Sequence, residues 1–279
     1  MIELLIDPFA TGFAQRAALV CLLVALLAPV IGVWIIHRQL SYMADAMSHS
    51  TLVGVALAFA FFGRGAILPG ALIAGLTVTL IIAFFTQRST LPRDAVIAVV
   101  ATGAFASGII ALGRVDTSIS LNHLLFGQVL TVTSTDIWIT VVLVAIVIAY
   151  VLRNFRDITF VTLDPMHARQ VGIGVARQNS MILMLIAMSV VVCISTVGVV
   201  LTVSLLIGPA LSARLITTTI AQQAAVGILL ALIQVFTGFV VSYHLDLAPG
   251  PTIAILSTAT FIVTYVLAAL VRAEMRVVR

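Results

Sequence analysis

The feature that most constrains this chain is a series of apolar runs, each about 20 residues long and almost free of charged side chains. An α-helix needs a run of about that length to cross the roughly 30 Å hydrocarbon core of a bilayer. Of the 279 residues, 62% are hydrophobic and only 9% are charged, whereas about a quarter of the residues in a soluble domain are charged. The sequence therefore predicts an all-α polytopic membrane protein and excludes an ordinary water-soluble fold.

Nine crossings are predicted on this criterion, and the whole chain, 1–279, is expected to form one transmembrane domain. The crossings cover residues 17–37, 39–62, 66–86, 95–113, 136–152, 178–197, 199–217, 221–242 and 252–271. The apolar stretch 178–217 is long enough for two of them, and Gly198 offers a place to divide it. If that stretch crosses only once, the count is eight. The pair Gly208-Pro209 predicts a kinked or broken helix, a backbone that is tolerated at membrane depth where it lines a cavity.

The arginines favour nine crossings with the N-terminus outside, because positive charge concentrates on the cytoplasmic side. In that orientation three arginines lie outside, and the others lie inside. The outer three are Arg16, Arg64 and Arg114, and the inner ones are Arg38, Arg88, Arg93, Arg153, Arg156, Arg169, Arg177, Arg214, Arg272, Arg276 and Arg279. The chain has no lysine, which excludes a P-loop ATPase motif. The net charge of +4 is therefore assigned to membrane orientation and not to a nucleic-acid partner.

Two loops are longer than simple connectors. Residues 114–135 are predicted to lie outside and to hold a short interfacial helix, because Leu121, Leu124, Leu125 and Phe126 are mixed there with polar residues. Residues 153–177 are predicted to lie inside and to hold one short helix over about 165–171. In that loop Asp164 is typical of an N-cap and Pro165 of the first helical position, and Gly172 or Gly174 is a stop signal.

Asp45 and His49 are the polar residues that most need an explanation, since they lie in the second apolar run. Their i, i+4 spacing places them on one face of a helix, and a carboxylate near the bilayer centre costs roughly 2.5–3.5 kcal/mol. The pair is compatible with metal ligands, a proton relay or a buried structural hydrogen bond. As ligands, a carboxylate and an imidazole suit Mn, Fe or Zn. The same helix carries a stripe of small residues, Ser50, Gly54 and Ala58, that permits close helix packing.

A second polar cluster, His244 and Asp246, follows the eighth crossing. It is compatible with a site that receives a cation from outside and equally with an ordinary solvated loop. The remaining histidines, His37, His123 and His167, fall at membrane edges or in loops and are predicted to be solvated.

Four motifs, in this order, resemble those of the ABC-3 family of metal permeases, and the resemblance runs from about Ala10 to Val271. They are R-x6-D-x3-H-x4-G from Arg38 to Gly54, D-x3-A-x3-G from Asp164 to Gly172, G-x9-G-P-A-x2-A-R from Gly198 to Arg214, and D-x2-P-G-P-T-I from Asp246 to Ile253. The resemblance implies the membrane subunit of a manganese, zinc or iron ABC importer of the type II kind, a permease and not an enzyme.

The resemblance also implies a site and a set of partners. Asp45 and His49 match the family's acid and histidine in the translocation path, and His244 and Asp246 are candidate outer-gate residues. The implied assembly is a multi-pass cell-membrane homodimer, or a pair with a paralogous permease, with cytoplasmic ATP-binding subunits and an extracellular metal-binding lipoprotein. Coupling to the ATPase is expected through Asp164, Ala168 and Gly172. The resemblance implies a transported divalent metal and no permanently bound cofactor.

Two other classes of protein fit the sequence less well. A proton-coupled secondary metal transporter would usually show two related halves, and the two halves of this chain show no such relation. An intramembrane metalloenzyme would need three or more ligands and a base, and the HExxH motif is absent. The ligand types do not distinguish among manganese, zinc and iron(II).

Overall fold

The computed structural model describes residues 12–63, 66–88, 91–113 and 134–277, and these ranges contain helices, turns and no strands. The helices are α1 Gly12–His37, α2 Ser41–Ser50, α3 Leu52–Phe62, α4 Ile67–Arg88, α5 Arg93–Leu112, α6 Ser134–Arg153, α7 Phe155–Leu163, α8 Pro165–Gln170, α9 Val175–Val197, α10 Val199–Ile216, α11 Ile220–His244 and α12 Pro249–Val277. The interfacial helix expected in the 114–135 loop lies almost entirely outside these ranges.

Across the described ranges, nine helical segments are long and apolar enough to cross a membrane, with α2 and α3 counted as one segment. The predicted fold class is therefore confirmed. The apolar stretch 178–217 forms two of these candidate crossings, because Gly198 separates α9 from α10 with a φ of +88°. Glycine adopts this left-handed conformation without the clash that a Cβ would cause.

A kinked or broken helix was expected at Gly208-Pro209, and the break was the wrong alternative. Helix α10 continues from Val199 to Ile216 with Pro209 inside it. Gly208 instead permits close packing, because a Cβ at this position would lie 2.0 Å from Ser257 Oγ on α12. Tight contact with a neighbouring helix therefore accounts for this glycine.

Helix α1 lies at the centre of the bundle and packs against α6, α9, α10 and α11. Of the residues in the apolar part of α1, 78% are buried, whereas the corresponding share in the peripheral α12 is 11%. Gly32 brings α1 into backbone contact with α10, since a Cβ there would lie 1.7 Å from the Leu206 carbonyl oxygen. Close approach at small residues is the usual basis of helix association in membranes.

Helices α2 and α3 pack against α4 and α5. The predicted stripe of small residues makes this contact: a Cβ on Gly54 would lie 2.1 Å from the Gly70 carbonyl oxygen, and one on Gly70 would lie 2.3 Å from Ala58 Cβ. Glycines on both helices therefore set the spacing of α3 and α4 and hold the segment that carries Asp45.

The loop 153–177 contains two short helices, α7 and α8, where one was expected. Helix α8 matches the prediction closely. Helix α7 was missed because its charged residues mask a short apolar face, on which Ile158 and Val161 are buried.

Candidate functional site

Asp45 and His49 share one face of α2, as their spacing predicted. His49 Nε2 lies 3.9 Å from Asp45 Oδ1, and the two side chains are 41% and 47% exposed, respectively. This separation is too long for a hydrogen bond. A single cation could nevertheless contact both atoms, because two metal–ligand bonds of up to about 2.2 Å span up to about 4.4 Å. Asp45 and His49 therefore stay candidate metal ligands, as the sequence predicted.

The hydroxyl groups around the pair bond to the helix backbone. Ser48 Oγ donates to the Asp45 carbonyl, Ser50 Oγ to the Met47 carbonyl at 3.2 Å, and Thr51 Oγ1 to the Ser48 carbonyl at 3.1 Å. Such back-bonding satisfies hydroxyls inside a helix. These hydrogen bonds explain how the hydroxyl groups of Ser48, Ser50 and Thr51 are accommodated within a candidate crossing.

The orientation of His49 is set by Phe105 of α5. The two rings meet edge to face with their centroids 5.3 Å apart and their planes at 63°. Helix α5 comes close to α3 at Gly108, where a Cβ would lie 2.7 Å from the Val53 backbone nitrogen. Sequence reasoning missed Phe105, because no local pattern relates it to a histidine 56 positions earlier.

Asp45 lies on the wall of an open cavity of about 680 Å³ between α2, α10 and α12. The cavity opens widely to the surface of the single chain, since Ile255 and Ile262 of its lining are 70% and 55% exposed. Its lining is mostly apolar, with Asp45 as its carboxylate and Ser204 and Thr258 as further polar side chains. The other lining residues are Val199, Val200, Val203, Pro251, Ala254, Ile255, Ala259 and Ile262.

His244 and Asp246 lie at the end of α11 and are both exposed. Asp246 has a φ of +52°, and the turn is closed by Ser242 Oγ, which donates to the Leu247 carbonyl at 2.6 Å. Neither residue is part of the lining of the Asp45 cavity. Their role as an outer gate therefore stays a prediction.

Helix α8 is held by the two caps that the sequence predicted. Asp164 Oδ1 accepts hydrogen bonds from the backbone nitrogens of Met166 at 3.1 Å and His167 at 2.9 Å. At the other end Gly172 has a φ of +81°, and Ile173 N donates to the Ala168 carbonyl at 2.9 Å. This is the Schellman arrangement, in which a left-handed residue ends a helix.

Ala168 fixes α8 to its neighbours. It is fully buried and packs with Val161 of α7 and Val175 of α9. Large apolar side chains at and around α8 remain exposed, Met166 at 75% and Leu163 at 62%. The segment thus has a buried anchor and an exposed apolar surface outside the candidate crossings.

The histidines outside the pair differ in environment. His167 is exposed as predicted, and His123 lies outside the described residues. For His37 the expectation of a solvated side chain was wrong: it is half-buried, and its Nε2 lies 2.8 Å from Gln223 Oε1. The amide nitrogen of Gln223 donates in turn to the Ala210 carbonyl at 2.9 Å.

Within the described part of the chain, no group of three or more His, Cys, Asp or Glu residues is arranged to hold a metal ion.

Nine apolar helices among the described residues, Asp45 on a cavity wall with His49 one helical turn away, and a short capped helix between candidate crossings are the features of a multi-pass membrane permease. The chain belongs to the ABC 3 transport family, whose model matches residues 10–268. This confirms the family resemblance and the membrane localisation. It places the chain in a family of transporters.

Relatives along the whole chain agree with this assignment. The chain is 32% identical to the manganese transport system membrane protein MntC of Listeria monocytogenes serovar 1/2a, over 92% of this chain and 91% of that protein. It is 30% identical to the chelated iron transport system membrane protein YfeD of Yersinia pestis, over 95% and 89% of the two chains. Among solved structures, PsaBC from Streptococcus pneumoniae in complex with Fab matches with a TM-score of 0.83 and 28% identity, over 95% of each chain.

Proposed function

We propose that this protein is the membrane permease subunit of an ABC importer for a divalent transition-metal ion, manganese first and zinc or iron(II) next, driven by a separate ATPase subunit. The observation that carries the proposal is the placement of Asp45 on a cavity wall with His49 within reach of the same cation. The relatives named above, which transport manganese or chelated iron, support a transition metal as cargo.

The ligand chemistry also favours this cargo. Imidazole nitrogen with carboxylate oxygen suits Mn, Fe and Zn, whereas Mg and Ca prefer oxygen ligands alone. The negative charge of Asp45 compensates part of the cost of removing water from a dication in an otherwise apolar cavity. We assign Asp45 and His49 as transient ligands that bind the ion during its passage.

A second copy of the permease, or a paralogous one, would complete the site. Two ligands from each chain give four nitrogen and oxygen ligands, a number that transition metals such as zinc commonly use. The proposed assembly is therefore a dimer with one shared central path.

Energy must come from another chain, because a P-loop requires a lysine and this sequence has none. Helix α8 is the proposed docking element for the ATPase, with Asp164 and Gly172 as its caps, Ala168 as its buried anchor, and Leu163 and Met166 as exposed apolar contacts. An extracellular metal-binding lipoprotein is the proposed donor of the ion.

Uptake by the assembled transporter tests this proposal. The permease, its ATPase and its binding protein are expressed in a strain that lacks its own importers, and accumulation of radioactive manganese is followed with zinc or iron(II) as competitors. We expect uptake that is lost when the P-loop lysine of the ATPase is replaced. Uptake that survives this replacement and collapses with a proton uncoupler would instead identify a secondary transporter.

A further inference from the structure

The turn between α1 and α2 has a fixed and unusual backbone. Leu40 N donates to the Ile35 carbonyl at 2.9 Å and Gln39 N to the Ile36 carbonyl at 3.2 Å, which is again the Schellman pattern. The left-handed position is filled by Gln39, with a φ of +57°, although glycine is the usual residue there. The direction in which α2 leaves α1 is thus set by a short, tightly bonded turn.

Arg38 joins this turn to the cytoplasmic loop. Its Nε donates to Thr162 Oγ1 of α7 at 3.0 Å, and its Nη1 donates to Asn179 Oδ1 of α9 at 2.7 Å. A guanidinium has a planar fork of donors, so two bonds in different directions hold it in one orientation. One side chain therefore connects α7, α9 and the start of α2.

The same turn is attached on its other side by His37. The His37–Gln223–Ala210 chain of hydrogen bonds reaches α11 and then α10, and α10 forms one wall of the Asp45 cavity. The turn is thus held between the helix that borders the cavity and the short helices of the loop.

Contacts continue in both directions from Arg38. Towards the loop, Thr162 follows Val161, which packs on Ala168 of α8. Towards the cavity, Asp45 lies four residues beyond Ser41, the first residue of α2, which is about 6 Å along that helix at 1.5 Å per residue. Leu40 and Met43, in between, are buried in the main core cluster, so this part of α2 is held by its neighbours along its length.

We propose that Arg38 is the positioning residue that couples the cytoplasmic loop to the metal pair. A displacement of α8 carries α7 with it, and Arg38 transfers the displacement to α2, which moves Asp45 relative to α10 and α12. Arg38 does not contact the ion; it acts through Asp45. This inference rests on the proposed function.

The test replaces Arg38 by Met, and by Lys as the conservative variant, in the reconstituted complex with its ATPase and binding protein. The readout is the number of manganese ions transported per ATP hydrolysed, together with ATPase copurification and the basal rate of hydrolysis. Arg88→Met is the matched control, since it removes an exposed cytoplasmic-end arginine from α4. A purely structural role for Arg38 would lower assembly and hydrolysis together and leave the ratio unchanged.

For Arg38→Met we expect assembly and basal hydrolysis as in the control. The number of manganese ions transported per ATP should fall about tenfold, which is the size of effect expected for the loss of a charge-assisted hydrogen bond. Arg38→Lys should fall in between, because an ammonium keeps the charge but lacks the fork. A wild-type ratio in Arg38→Met would overturn the inference.

The acceptors give an independent test that does not depend on how well Arg38→Met accumulates. Thr162→Val and Asn179→Leu should each lower the same ratio and, combined with Arg38→Met, add no further loss, as expected for residues in one interaction. A normal ratio in the Thr162→Val, Asn179→Leu double variant overturns the inference. The proposed function is tested separately, because it fails if manganese uptake survives replacement of the P-loop lysine of the ATPase.

Discussion

Replacing Gly172 by alanine should loosen helix α8 through backbone conformation alone. Gly172 has a φ of +81°, and no atom lies within 4 Å of the place where a Cβ would be built. Steric overlap with neighbours is thus absent, and the cost is that of a left-handed alanine, about 1–2 kcal/mol. Helix α8 has only six residues and cannot be stable by itself. Since 1.4 kcal/mol is a factor of ten in an equilibrium constant, the open population of α8 should rise about tenfold.

Hydrogen exchange of the backbone amides from Met166 to Ile173 measures this change in the purified permease, and copurification of the ATPase measures its consequence. Gly174→Ala is the control: no left-handed φ is required at Gly174, and its nearest Cβ contact is an ordinary 3.8 Å to Arg177 Cβ. We expect faster exchange and weaker ATPase recovery for Gly172→Ala only. Wild-type behaviour of that variant, or equal damage from Gly174→Ala, would refute the reasoning.

Two further predictions concern packing and orientation. Gly54→Ala should lower the thermal stability of the purified permease markedly, because its Cβ would lie 2.1 Å from the Gly70 carbonyl oxygen. Gly103→Ala should leave stability unchanged, because the space around Gly103 is open. Equal melting temperatures of the two variants would contradict the proposed close contact of α3 and α4. Leu247 and Gln170 are both exposed, and each is replaced by cysteine in a background without the two native cysteines. An impermeant thiol reagent added to intact cells should label the Leu247→Cys variant and spare the Gln170→Cys variant. The reverse pattern would overturn the topology that the distribution of arginines predicts.

The features that sequence reasoning predicted correctly are local ones. The two caps of α8 depend on Asp164 and Gly172 and on hydrogen bonds within a few residues of each, so the local sequence is enough to predict them. The shared face of Asp45 and His49 follows from the 3.6-residue period of a helix. Apolar runs of about 20 residues likewise predict the crossings, because the thickness of the bilayer sets their length.

The features that were missed or wrong depend on contacts between distant parts of the chain. Arg38 belongs to a recognisable motif, but its acceptors Thr162 and Asn179 lie 124 and 141 residues further along. The sequence predicts a solvated His37, but α11 places Gln223 beside it, although Gln223 lies 186 residues further along the chain. Pro209 would interrupt an isolated helix, whereas here neighbouring helices hold α10 continuous around it. None of these outcomes follows from local propensity.

Manganese uptake by the Asp45→Asn, His49→Ala double variant tests the central claim most directly. The first change keeps the shape of the side chain and removes its charge, and the second removes a ligand, while Asp94→Asn at the exposed start of α5 serves as the control for loss of an acid. We expect the double variant to be expressed and to bind its ATPase like the control, but to accumulate manganese only at the background rate. Uptake equal to that of the control would show that the pair is structural and that the ion passes elsewhere.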